Sequence, residues 1–229
     1  MHTFENRRDA GRRLADHLRE VVKGEKVTVV GLPRGGIPVA YEVAHSLHAP
    51  LEPLVVRKIG APQQPELAVG ALASGGVRTV NAELKNELQI PDATLERLFQ
   101  EETLELERRE QLYRGGRPFP DVSTRTVVLV DDGLATGATM IAAVQTMRKL
   151  GARRVIVAVP IGSPEILSRL RAHADECVCV VAHFPLRSVG EWYDDFTQTS
   201  DEEVLSLVAA NKAWISKEYE KTSAPELRY

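Results

Sequence analysis

The 229-residue chain is 43% hydrophobic and 27% charged, with a formal net charge of −3, the balance of ordinary globular material. That mild acidity, with basic residues spread along the chain, argues against a nucleic-acid partner held mainly through its phosphates. No apolar stretch is long enough to span a membrane and residues 1–20 carry no signal-peptide pattern; with Cys177 and Cys179 read as reduced thiols, a cytoplasmic location is expected.

The length suits one α/β domain, or a core with a small appendage. Residues 4–22 put Phe4, Ala10, Leu14, Ala15, Leu18 and Val21 on one helical face, a helix to cover the sheet or the mouth of a site. Arg7, Arg8, Arg12 and Arg13 read as its solvated face, with a ligand role as the alternative. The run Lys26-Val27-Thr28-Val29-Val30 is a buried strand, followed by the turn Gly31-Leu32-Pro33-Arg34-Gly35-Gly36. A helix follows from Pro38, with Val39, Val43, Ala44 and Leu47 at helical spacing. Glycines bring backbone close to an anion, and Arg34 can add a charge-assisted bond.

Residues 51–56 read as a third strand that ends in Arg57 and Lys58. Residues 59–66, with Pro62, Pro65 and no apolar periodicity, read as an exposed loop. Opening on two cations, that loop is a candidate lid over an anionic ligand; a surface hairpin with incidental charges is the alternative. Residues 67–73 return to strand character. A short helix is expected over 81–90, closed by Pro91, and a long charged one over 95–113, a candidate homodimer contact.

The stretch that organises the rest begins at Thr126. Val127-Val128-Leu129-Val130 is a strand buried on both faces, and Asp131 and Asp132 stand at its end. Small residues follow from Gly133 to Thr139, and Ile141, Val144, Met147 and Leu150 continue as a helix stopped by Gly151. A small-residue loop opening a helix offers free N–H groups and a positive dipole end, the makings of a phosphate cradle. Two carboxylates beside it would repel an anion unless they accept hydrogen bonds from hydroxyls or face a metal. A sugar phosphate supplies hydroxyls and phosphate together; the alternative is an Asp-rich turn.

The chain then alternates strand (155–159), helix from Ser163-Pro164-Glu165, and strand (177–182), which implies a parallel sheet with ligands at the carboxyl ends of its strands. Cys177 and Cys179 are too close along one strand for a disulfide and read as buried reduced thiols. Residues 183–196 are the most aromatic stretch, either core or a slot for a flat ring. Ser200 and Glu203 form a capping box for a last helix carrying Val204, Val208 and Ile215.

The segment 127–139 resembles the ribose-phosphate signature of the type I phosphoribosyltransferases: four aliphatics, two acids, two mostly aliphatic positions, then a small loop. Gly133 is the departure, standing where an aliphatic or Ser is more usual. The turn 31–36 is similar to the family's pyrophosphate loop, and Arg57-Lys58 to the cations before its catalytic loop. The resemblance covers about 26–182, the core of one domain, with helix 4–22 and segment 183–229 as a cap or hood. It implies an α/β core with a parallel sheet flanked by helices. It also implies Mg²⁺-dependent transfer of the 5-phosphoribosyl group from phosphoribosyl pyrophosphate to a nitrogen acceptor, a nucleobase, with pyrophosphate released. A regulator that senses phosphoribosyl pyrophosphate without turning it over is the alternative.

By this resemblance Asp131, Asp132 and Lys58 are catalytic. Ala135, Thr136, Gly137, Ala138 and Thr139 bind the 5′-phosphate, and Arg34, Gly35, Gly36, Arg57 and Lys58 the pyrophosphate. Phe184 and Trp192 would hold the base, and Glu66 is a candidate acid or base. Mg²⁺ would be held mainly by the substrate, near Asp131 and Asp132.

Overall fold

The computed structural model describes residues 3–223, except for the side chains of residues 66, 219 and 221–223. In chain order the elements are α1 (Arg7–Leu18), β1 (Val27–Gly31), α2 (Gly36–Ser46), β2 (Leu51–Pro53), β3 (Val56–Ala61), β4 (Gln64–Ala73), β5 (Val77–Val80), α3 (Ala82–Glu87), α4 (Asp92–Arg114), β6 (Thr126–Val130), α5 (Ala138–Lys149), β7 (Arg154–Gly162), α6 (Pro164–Leu170), β8 (Glu176–Ala182) and α7 (Asp201–Ser223). Five strands form a parallel sheet in the order β2-β1-β6-β7-β8, and β3-β4-β5 form a separate antiparallel sheet.

The aliphatic runs of β1 and β6 are buried at every position because helices cover both faces of the parallel sheet. Alternation sorts their side chains. Val27, Val29, Val128 and Val130 pack with residues of α1, α2 and α7, while Val30, Val127 and Leu129 pack with residues of α5 and α6. Helix starts follow local chemistry: the Asn6 carboxamide accepts from the Arg8 and Asp9 amides, and Ser163 accepts from the Ile166 amide. The Ser200 hydroxyl accepts from the Glu203 amide, as its spacing predicts.

Two segments differ from the sequence reading, and β5 (Val77–Val80) is a strand that reading did not contain. The strand expected over 51–56 is split: β2 ends at Pro53, and Val56 already belongs to the second sheet. The expected loop 59–66 is a β-hairpin turning at Pro62 and Gln63. A register shift at Gly60 makes room for it. A Cβ there would lie 2.4 Å from the Pro65 carbonyl oxygen, so only glycine lets the strands meet. Pro65 sits inside that irregularity, where its missing N–H interrupts no ladder bond. Composition alone reads such a segment as loop.

The N-terminal segment packs against residues 189–196, and the two together are called the hood below. The Phe4 amide donates to the Trp192 carbonyl at 3.0 Å, Phe4 and Tyr193 rings lie 5.4 Å apart, and both side chains are buried with Ala10 and Ile161. On α7, Val204, Leu207 and Val208 are buried, whereas Ile215 is only partly so. Buried Asn211 accepts from the Leu51 amide at 2.8 Å and donates to the Ala49 carbonyl, closing the open edge of β2. Cys177 and Cys179 are free thiols, but only partly buried, because β8 is the other edge strand. Desolvation pushes the Cys179 thiol up to about 11. Among the described residues, no helix is long and apolar enough to cross a membrane.

Candidate functional site

Neighbouring parallel strands β1 and β6 end together, with Gly31 paired to Val130. The turn after β1 therefore lies against the acids after β6. How close the two loops run is set by glycine. A Cβ on Gly35 would fall 2.1 Å from Asp132 Oδ2, and one on Gly36 would fall 2.9 Å from Asp131 Cα and from the Val130 carbonyl oxygen. The Leu32 amide ties the turn down by donating to the Val130 carbonyl at 3.0 Å. Arg34, at its tip, is 3.9 Å from Asp201 at the start of α7.

The loop after the acids leads into α5 through Gly137, which has φ +74° and caps the helix without a side chain. A Cβ there would meet Ile166 at 2.5 Å, so both the backbone angle and the packing require glycine. No side chain caps α5 and no acid stands in its first turn, while Ala135 and Thr136 are exposed. The helix start thus keeps amides and a positive end directed at the loop. Gly133, the departure in the motif, is also explained. A Cβ there would meet Val189 at 2.6 Å and Ile161 at 2.8 Å, so the hood fills the space that a larger residue would take.

Asp131 and Asp132 are adjacent and partly buried. Burial, and then the charge of Asp132, push the Asp131 carboxyl well above the usual carboxylate range. Burial also raises Asp132, and Arg7 opposes that rise. Here the reading of Arg7 as part of a solvated face is corrected. Its Nε donates to Asp132 Oδ2 at 2.8 Å, and its side chain is only 11% exposed. Tyr193 donates from its hydroxyl to the Asp132 carbonyl at 2.6 Å, joining the hood to the acids a second time. Nothing in the local pattern marks Arg7 or Tyr193, because their partners are 125 and 61 residues away in the chain.

The remaining candidates divide. Arg57 is engaged with Glu102 of α4 at 2.6 Å, and Lys58 is exposed on the hairpin; neither bonds to the two loops. The Glu66 side chain lies outside the described residues. Phe184 is 73% exposed and packs on no ring among the described residues. The Trp192 ring lies 4.7 Å from the His183 ring, and both line an open cavity of about 390 Å³ with Pro185, Arg187 and Glu191. The aromatic stretch is therefore neither all core nor all slot: Tyr193 is core, while Trp192 faces a cavity beside the hood segment that carries Val189.

The model of the phosphoribosyl transferase domain matches residues 2–195. Two curated proteins from strains of Mycobacterium tuberculosis, provisionally named phosphoribosyl transferases, are each 47% identical over 208 residues, 91% of this chain. The chain spans about half (47%) of their length. The crystal structure of TT1426 from Thermus thermophilus is 41% identical, covers 91% of this chain and 98% of its own, and superposes with a TM-score of 0.82.

Proposed function

The chain belongs to the phosphoribosyl transferase domain family, and from that premise we propose that it transfers the 5-phosphoribosyl group of phosphoribosyl pyrophosphate to a nucleobase nitrogen, releasing pyrophosphate. The observation that carries this reading is the convergence of the Gly35-Gly36 turn on Asp131 and Asp132, beside the uncapped start of α5. One loop would take the pyrophosphate, the other the 5′-phosphate, and the acids between them the ribose hydroxyls.

Departure of pyrophosphate leaves positive charge on the sugar, so the protein's part is mainly positional and electrostatic. Carboxylates held against the sugar favour that cation more than the neutral ground state. Arg34 and the turn amides would hold the leaving group, and residues 135–139 the 5′-phosphate. Lys58 touches neither loop here, so its part requires the hairpin to close over the ligand. Neutralising the leaving pyrophosphate is the chemistry that bound Mg²⁺ would supply. The ion would come mainly with the substrate, near Asp131 and Asp132.

The acceptor would stack on Trp192 in the His183 cavity. Trp192→Ala should weaken base binding by about 1–3 kcal/mol, the scale of one lost base–aromatic stack, and leave phosphoribosyl pyrophosphate affinity unchanged. Paired titrations of base and phosphoribosyl pyrophosphate check this, and loss of both affinities together would remove Trp192 from the acceptor site. One observation favours a second reading, a sensor without turnover: Arg7 already neutralises Asp132, one of the charges a cationic sugar would use. A screen of nucleobases with phosphoribosyl pyrophosphate and Mg²⁺, read as pyrophosphate release, separates the two. Release with one base supports the enzyme; binding with no release for any base leaves the sensor.

A further inference from the structure

Arg7 is held from three sides. Nε donates to Asp132 Oδ2 at 2.8 Å, Nη1 donates to the Thr197 carbonyl at 2.8 Å, and the guanidinium lies 3.8 Å from the centroid of the Phe196 ring. Such a clamp leaves the side chain little freedom to swing away. Among the described residues Asp131 makes no ion pair of its own, although the Arg7 charge also favours its ionised form; its Oδ1 accepts the Asp132 amide at 2.9 Å. The other groups around the pair are the Gly35 and Gly36 backbone, which carries no charge, and Tyr193, whose hydroxyl is spent on the Asp132 carbonyl. Asp195, which also feels Arg7, is bonded to the Thr197 amide and hydroxyl.

The ligand proposed above is a polyanion, and its sugar hydroxyls need a carboxylate as acceptor. Two bare carboxylates would repel its phosphates; two protonated ones would offer the hydroxyls poor acceptors. One carboxylate with a fixed counter-ion meets both demands. We infer that Arg7 is a positioning residue for the acid pair: it holds Asp132 as an ionised acceptor against the Gly35 turn and cancels one of the two negative charges that an incoming sugar phosphate would meet. The cation comes from the hood rather than from either ligand loop, so hood and acid pair act as one unit. This inference rests on the reading of the site as one for phosphoribosyl pyrophosphate, but its first test needs no ligand.

Arg7→Met keeps an aliphatic stem over Phe196 and removes the charge, whereas Arg7→Lys restores the charge without the planar fork. With ¹³C-labelled Asp carboxyls, the pair in the apo protein should titrate at clearly higher pH in Arg7→Met than in wild type, and close to wild type in Arg7→Lys. Phosphoribosyl pyrophosphate with Mg²⁺ should bind Arg7→Met at least tenfold more weakly, and the acid limb of its affinity should move to higher pH. An unmoved carboxyl titration in Arg7→Met would make Arg7 a structural tie only. Tighter binding to Arg7→Met would make it a competitor for Asp132, and either result overturns the inference. A wild type that binds no phosphoribosyl pyrophosphate, while the carboxyl titration shifts as expected, overturns the ligand reading and supports the role of Arg7. If Arg7→Met does not fold, Arg7→Lys decides: loss of wild-type titration there contradicts a role based on charge.

Discussion

Asp131→Asn should make the protein more stable at neutral pH while costing it its ligand. The carboxyl is partly buried and faces a second acid, so its ionised form is disfavoured in the folded state. Asparagine keeps the oxygen that accepts the Asp132 amide and removes the charge. The gain should be on the order of 1 kcal/mol in urea unfolding at pH 7. Its pH dependence follows from linkage. Because the folded-state pKa is raised, the folded protein binds the extra proton first, so this group's contribution to stability grows as pH falls through the raised value. It levels off near the unfolded aspartate value of about 3.9. Asp131→Asn should lose that slope.

Asp132→Asn should behave in the opposite sense. It breaks the ion pair with Arg7 and leaves a poorly exposed guanidinium without its anion, which should destabilise by about 1–3 kcal/mol. Both variants should bind phosphoribosyl pyrophosphate at least tenfold more weakly, about 1.4 kcal/mol, through the loss of a charge-assisted hydrogen bond. Equal stability changes in the two variants would mean that the acids are not divided between a paired and an unpaired role.

Gly36→Ala should be the most damaging single methyl group in the site. Its Cβ would sit 2.9 Å from the Asp131 Cα and the Val130 carbonyl oxygen, which are backbone atoms that cannot rotate away. Relief requires the β1 turn and the acid loop to separate, at about 1–3 kcal/mol of stability, and the separation should weaken ligand binding by one to two orders of magnitude. Gly35→Ala is the informative partner. Its Cβ would collide with Asp132 Oδ2, the end of a side chain, at 2.1 Å. It should displace the carboxylate, hurting ligand binding with a smaller loss of stability. Chemical denaturation and titration of both variants check this; a Gly36→Ala protein with wild-type stability and affinity would show that the convergence is not what builds the site.

What the sequence disclosed and what it withheld divide along physical lines. β6, the place of the acids at its end, Gly137 and α5 were legible because strand, turn and helix each leave a local pattern. The turn around Arg34 was legible for the same reason. The hairpin over 59–66 was legible only as the alternative to an open loop, since Pro62 and Pro65 look like loop until Gly60 is seen to allow the strands their irregular register. Arg7 was hidden for another reason. Among several arginines on one short helix, only the folded hood selects the one that reaches Asp132. Gly133 looked like a flaw in a motif, and Val189, far along the chain, turns it into a fit. Long-range partners leave no local periodicity, and the hood is made mostly of such partners.

The central claim is that the two loops and the acid pair form one site for phosphoribosyl pyrophosphate. Calorimetric titration of phosphoribosyl pyrophosphate with Mg²⁺ into the wild-type protein and into Asp132→Asn tests it directly. Saturable binding at one site per chain, displaced by pyrophosphate and at least tenfold weaker in the variant, is the predicted result. No binding to the wild type, or the same affinity in both proteins, would contradict it.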